Sequence, residues 1–99
     1  MSDRRKIDSF YYDVHSNPPR SFHFTLVEQT DGTVRCYIDD QPSYPSGRAA
    51  DGHATHRYGL GTGRPYICYE PQPRSHRDAR TVTESWARHT ARYMVTGRW

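Results

Sequence analysis

The sequence predicts a small α+β domain, an antiparallel sheet of four or five hairpin-connected strands with one C-terminal amphipathic helix packed on one face. Two alternating apolar runs flank Thr30-Asp31-Gly32, which is typical of a β-hairpin. A helix-start signal at Ser75 precedes about twenty residues with helical periodicity. A chain of 99 residues has the length of one ordinary domain, so we expect one core.

Aromatic side chains must supply much of that core. Leu, Ile, Val and Phe account for only 13 of 99 residues, but the chain also has 8 Tyr and 2 Trp. A net charge of +3 is too small to favour disorder, and large aromatic side chains bury enough surface to compensate for scarce aliphatic ones. The predicted core is thin, so association with a protein partner or a second copy is expected.

Charged and polar residues dominate residues 1–9, which we expect to be a flexible N-terminus preceding a single domain over residues 10–99. From Phe10 to Val14 the apolar positions alternate, which predicts a half-buried strand with Tyr11 on its outer side. Asn17-Pro18-Pro19 ends this strand, because proline cannot donate a ladder hydrogen bond.

The hairpin between Ser21 and Asp39 has a register that can be predicted. A two-residue Asp-Gly turn would mix the apolar face of one strand with the polar face of the other. A three-residue loop with Gly32 in the left-handed conformation instead pairs Leu26 with Cys36. The helix-facing side chains are then Phe22, Phe24, Leu26, Val34, Cys36 and Ile38.

The segment between this hairpin and the helix is less regular. Residues 40–55 have no usable periodicity and are expected to form a long loop, which in compact domains is usually functional or disordered. Residues 56–58 and 66–69 predict the two strands of a second hairpin around a glycine-rich connection.

The C-terminal helix is expected to run from the Ser75 capping box to about Thr96, ahead of Gly97. Its apolar stripe is Ala79, Val82, Trp86, His89, Thr90 and Tyr93. The opposite side carries Arg77, Arg80, Glu84, Arg88 and Arg92. These arginines either track a phosphate backbone or form a solvated, ion-paired helix face.

With the helix on one face of the sheet, the other face is left open. We expect it to carry Tyr11, His23, Arg35, Tyr37 and Tyr66. Aromatic and Arg side chains in this arrangement suit stacking of single-stranded nucleic acid or a protein interface. The leading functional prediction is therefore a non-enzymatic binding module whose open face and 40–55 loop bind a protein, possibly a second copy, or nucleic acid. The predicted partner-binding residues are Tyr11, His23, Arg35, Tyr37, Tyr66, Arg77, Arg80 and Arg88.

An enzymatic alternative comes from two H-x-T segments, His23-Phe24-Thr25 and His53-Ala54-Thr55. This pair resembles the motif pair of 2H phosphoesterases. The resemblance implies two histidines acting as general acid and base, with Thr25 and Thr55 holding the phosphate. It covers six residues, and the chain is too short for the two-lobed fold of that family.

A metal-dependent hydrolase is a further alternative, with Asp51, His53 and His56 as candidate ligands. Imidazole and carboxylate groups suit zinc or another divalent transition metal, but a structural site needs four ligands. The leading prediction needs no cofactor.

No apolar run approaches the roughly 20 residues of a membrane span, and the basic start lacks a hydrophobic signal core, so a cytoplasmic location is expected. Two cysteines without metal-site spacing are expected to be reduced.

Overall fold

In the computed structural model, which describes residues 4–99, an antiparallel sheet of five strands carries one long helix on one face. This arrangement confirms the predicted fold class. The elements in chain order are β1 (Arg5–Val14), β2 (Arg20–Glu28), β3 (Val34–Asp40), α1 (Gly52–Thr55), β4 (Arg57–Tyr58), a 3-10 turn (Leu60–Thr62), β5 (Tyr66–Ile67) and α2 (His76–Thr96). The spatial order of the strands is β1-β2-β3-β5-β4.

Strand β1 begins at Arg5, five residues before the predicted start of the first strand at Phe10. Arg5 pairs with Glu28 of β2, and their side chains form a 2.8 Å ion pair. A register irregularity between Lys6 and Asp8 interrupts the strict alternation, although Ile7 still packs against the core. That irregularity removes the period-two pattern by which the strand could have been recognised. Residues 1–3 lie outside the described part of the chain.

From its turn to the Phe24–Ile38 pair, the β2–β3 hairpin has the predicted register, which then shifts by one residue at His23. Leu26 pairs with Cys36 and Phe24 with Ile38. Gly32 has φ of +86°, the left-handed conformation expected of the three-residue loop. Its neighbour Asp31 accepts a 2.6 Å hydrogen bond from the Thr33 hydroxyl, which fixes the turn.

The core lies between the sheet and α2. Trp86 stands edge-on to Phe22 and Phe24, with ring centres 5.9 and 6.0 Å apart. Its indole Nε1 donates a 3.1 Å hydrogen bond to the Thr55 carbonyl, so the buried N–H is satisfied. The fully or nearly fully buried apolar side chains here are Phe22, Phe24, Leu26, Val34, Cys36, Ile38, Ile67, Ala79, Val82, Trp86 and Ala87.

Helix α2 has the predicted ends. At its start, Ser75 Oγ accepts a 3.1 Å hydrogen bond from the Asp78 backbone N–H. At its end, Gly97 adopts φ of +75° and its N–H bonds to the Tyr93 carbonyl at 2.8 Å.

No helix in residues 4–99 combines the length and apolar character needed to cross a membrane.

The predicted loop over residues 40–55 contains a short helix, α1, at its end. Asp51 caps α1 by accepting a 3.3 Å hydrogen bond from the Ala54 N–H. A single helical turn gives too short a pattern for periodicity to detect. The second hairpin is present with strands of two residues each, shorter than predicted.

Candidate functional site

The sheet face away from α2 brings together the predicted Tyr and Arg side chains, and we call this surface the open face. The Tyr11 and His23 rings stack at 4.4 Å between centres, and Tyr11 is 74% exposed. Farther across the sheet, Tyr37 and Tyr66 meet edge-on at 5.8 Å. These residues come from β1, β2, β3 and β5, so the pairing of strands assembles the surface.

Arg35 occupies the middle of the second group. Its guanidinium carbon lies 4.2 Å from the centre of the Tyr66 ring and 5.9 Å from that of Tyr37. The Tyr37 hydroxyl accepts a 3.4 Å hydrogen bond from Arg35 Nη1. No carboxylate within residues 4–99 forms an ion pair with Arg35, so most of its five donor N–H groups are left for a ligand.

Tyr37 is covered, contrary to the expectation of an open ring. It is 8% exposed because Arg64, from the connection between β4 and β5, places its guanidinium carbon 3.9 Å from the ring centre. Arg64 also lies 3.6 Å from an Asp39 carboxylate oxygen. The exposed surface over Tyr37 is therefore formed by the guanidinium groups of Arg35 and Arg64. Sequence reasoning missed Arg64, because loop residues carry no periodicity that assigns them to a face.

His23 belongs to a polar network across three strands. Ser9 Oγ lies 3.0 Å from His23 Nε2, and Asp39 Oδ2 lies 3.8 Å from His23 Nδ1. The Thr25 hydroxyl donates a short hydrogen bond to the same Asp39 oxygen. Hydroxyl, imidazole and carboxylate follow one another in the order used in nucleophilic catalysis, but 3.8 Å is longer than a hydrogen bond.

The helix arginines do not join the open face. Arg80 lies 3.7 Å over the Phe10 ring and 3.2 Å from Asp8, both in β1, and 3.5 Å from Glu84 on its own helix. It is therefore part of an ion-paired helix face, the second of the two predicted alternatives. Arg88 donates a 2.9 Å hydrogen bond to the Tyr12 hydroxyl. Arg77 remains exposed at the start of α2. Residues of β1 therefore contact two of the three arginines, and of these residues only Asp8 lies in the part of the strand that was not predicted.

The two H-x-T segments do not come together. His23 is in β2, whereas His53 is in α1, which packs against β4. Three strand spacings separate β2 from β4, about 14 Å. The Thr55 hydroxyl is fully buried and donates to the Asp51 carbonyl, so it is not available to hold a phosphate.

The residues predicted as metal ligands interact with other groups. The Asp51 carboxylate caps α1, and the His56 ring stacks on Trp99 at 4.4 Å between centres. Across residues 4–99, no group of three or more His, Cys, Asp or Glu side chains is placed to hold a metal ion.

A cavity of about 240 Å³ lies on the helix side of the sheet and was not predicted. Segments far apart in the chain line it, among them His56, Cys68, Ser85, Trp86, His89 and Trp99. Burial lowers the pKa of His56, and the nearby His53 and His89 lower it further. Helical periodicity predicted that Trp86 and His89 lie on the same side of α2. Nothing in the local sequence predicts that these two residues meet His56 or Trp99.

Comparisons with protein-family models, with curated proteins and with solved structures find no match to this chain.

Proposed function

We propose that the chain is a binding module for single-stranded nucleic acid and that the open face is its binding surface. The observation that carries this proposal is Arg35, a guanidinium stacked 4.2 Å from Tyr66 with no carboxylate partner in the described chain. A flat, stacked guanidinium contacts a base through its plane and a phosphate through its N–H groups.

The dimensions of the open face support the same ligand. Tyr11 in β1 and Tyr66 in β5 are three strand spacings apart, about 14 Å. Antiparallel sheets that bind single-stranded RNA stack two or three bases on aromatic side chains across a surface of this kind. The exposed Tyr11 ring and the Arg35–Tyr66 stack therefore provide two stacking positions.

The positive charge of the open face lies on the side of Tyr66. Arg35 and Arg64 both lie there, and Asp39 offsets part of the Arg64 charge at 3.6 Å. Two phosphate contacts predict that log K falls with log salt with a slope of about −1.4 for a single strand. Binding through so few contacts should be weak and sensitive to salt.

Fluorescence anisotropy of labelled single-stranded RNA and DNA across a salt series tests the proposal. Arg35→Ala should weaken binding and reduce the slope to about −0.7, because one phosphate contact is lost. Arg77→Ala is the matched control, since Arg77 is 90% exposed on α2 and away from the open face. Binding that is absent, or weakened equally by both variants, would contradict the proposal. If light scattering then showed self-association that Arg35→Ala abolishes, the open face would instead bind a second copy.

A second candidate function, hydrolysis of a phosphodiester, is favoured by the Ser9–His23–Asp39 order. His23 would take the proton of the attacking Ser9 hydroxyl, with Asp39 orienting the ring. In the same assay, RNA cleavage would appear as a decay of anisotropy below the starting value. Ser9→Ala should abolish that decay and leave binding intact, whereas intact RNA with the unaltered protein would eliminate this function.

A further inference from the structure

We propose that the cavity between α2 and the 66–69 segment is a binding site for a small, neutral, planar heteroaromatic ligand that carries a ring N–H. This site is independent of the open face, because Trp86 packs on the opposite side of the sheet against Phe22 and Phe24. We call it the aromatic cavity.

Aromatic rings dominate its walls. The imidazoles of His56 and His89 stack on Trp99, with ring centres 4.4 and 5.7 Å away and interplanar angles of 24° and 20°. Trp86 lies 6.3 Å from Trp99 at a steeper angle. A planar ligand can stack on one of these rings and meet another edge-on, which are the two favoured arrangements of aromatic pairs.

The polar atoms of the cavity point to a donor on the ligand. His89 Nδ1 lies 2.8 Å from the Ser85 carbonyl, which can only accept, so Nδ1 carries the hydrogen. In the neutral ring this leaves Nε2 as an acceptor, and no group within residues 4–99 donates to it. The His56 ring likewise has no hydrogen-bond partner in the described chain, and burial favours its neutral form. A ligand with a ring N–H can satisfy the His89 acceptor without bringing a charge into the cavity.

Volume limits the size of the ligand. Pockets for drug-sized molecules usually measure roughly 300–1,000 Å³, whereas this one is about 240 Å³. The space therefore suits a single fused ring system with at most small substituents.

Intrinsic fluorescence gives a direct test, because both Trp residues of the chain line the aromatic cavity. The probe is benzimidazole, which has one ring N–H, titrated at about pH 8, where free imidazole is uncharged. We expect a saturable change in Trp emission. The analogue 1-methylbenzimidazole lacks the N–H and should bind about tenfold more weakly.

Variants distinguish specific binding in the aromatic cavity from nonspecific hydrophobic adsorption. His56→Ala should weaken benzimidazole binding about three- to tenfold through loss of one ring wall, whereas the matched control His53→Ala should not. His89→Phe retains a ring but removes the acceptor, so it should bind both benzimidazoles equally. Circular dichroism melts verify folding of each variant, and Trp indole N–H shifts in NMR provide a second readout.

A non-saturable response in both readouts, or equal effects of the His53 and His56 variants, would overturn the proposal. Arg35→Ala should leave benzimidazole binding unchanged, so this test does not depend on the outcome for nucleic acid.

Discussion

Replacing Asp8 by Asn should loosen the attachment of α2 to the edge strand β1. The Asp8 carboxylate lies 2.7 Å from His76 Nε2 and accepts a 3.2 Å hydrogen bond from Arg80. It also accepts a 2.8 Å hydrogen bond from the Ser9 backbone N–H. Asn keeps the shape of the side chain but removes the charge that strengthens these bonds.

The expected loss of stability follows from the solvent exposure of the interacting side chains. Asp8 and Arg80 side chains are 23% and 36% exposed, whereas His76 is 56% exposed. A partly buried, charge-assisted pair contributes about 1 kcal/mol, and a solvent-screened bond contributes only a few tenths. We therefore expect Asp8→Asn to lower the free energy of unfolding by about 1–1.5 kcal/mol near pH 7.

The pH dependence has a defined sign. The hydrogen bond with His76, then that from Arg80, holds the pKa of Asp8 below its ordinary value. A carboxyl group with a lowered folded pKa stabilises the protein fully above its unfolded pKa, near 4, and loses that contribution as pH falls through the folded value. The difference between the parent protein and Asp8→Asn should therefore shrink as the pH is lowered below about 4.

Urea unfolding at neutral and acidic pH measures both quantities. Asp13→Asn is a suitable control, because Asp13 lies on the same strand but accepts its hydrogen bond from the neutral Ser21 hydroxyl. A loss that is the same at both pH values, or no larger than that of the control, would refute the assignment of this ion pair.

Two other predictions concern a thiol and a glycine. Alkylation of the folded protein at about pH 8 should label the half-exposed Cys68 and spare Cys36, because burial raises the pKa of Cys36 to about 12 and leaves only about one thiolate in ten thousand. Mass spectrometry would contradict this if Cys36 were labelled before unfolding. Gly52→Ala should lower stability by about 1–3 kcal/mol, because the added Cβ would lie 2.6 Å from the Arg57 carbonyl oxygen. Thermal unfolding checks it against Gly61→Ala, where no atom beyond the glycine and its adjacent residues lies within 4 Å of the added carbon, and equal melting temperatures would exclude the clash.

The parts of the fold that were predictable depend on local signals. The turn glycine and the alternation of apolar residues determined the β2–β3 register, and Ser75 and Gly97 marked the ends of α2. Each of these signals acts within a few residues of the structure it specifies, so a single sequence contains it. The extra length of β1 was not predictable, because its irregularity near Ile7 breaks the alternation.

The candidate sites were predictable only in part. Alternation on β2 and β3 was sufficient to place His23 and Arg35 on the open face. The position of Arg64 over Tyr37 and the meeting of His56 with Trp99 depend on tertiary packing of loop and terminal residues. Such contacts join segments with no common periodicity, so residue spacing contains no information about them.

Along β2 and β3, side chains that build the core alternate one by one with those that form the open face. Phe24 and Ile38 are almost completely buried, whereas their neighbours His23 and Asp39 lie toward solvent. Point substitutions at alternate positions can therefore change the chemistry of the exposed surface during evolution without altering the packing behind it. The sheet accommodates a one-residue register shift near its end, at His23, but an insertion between Phe24 and the turn that no bulge absorbed would exchange the two sets.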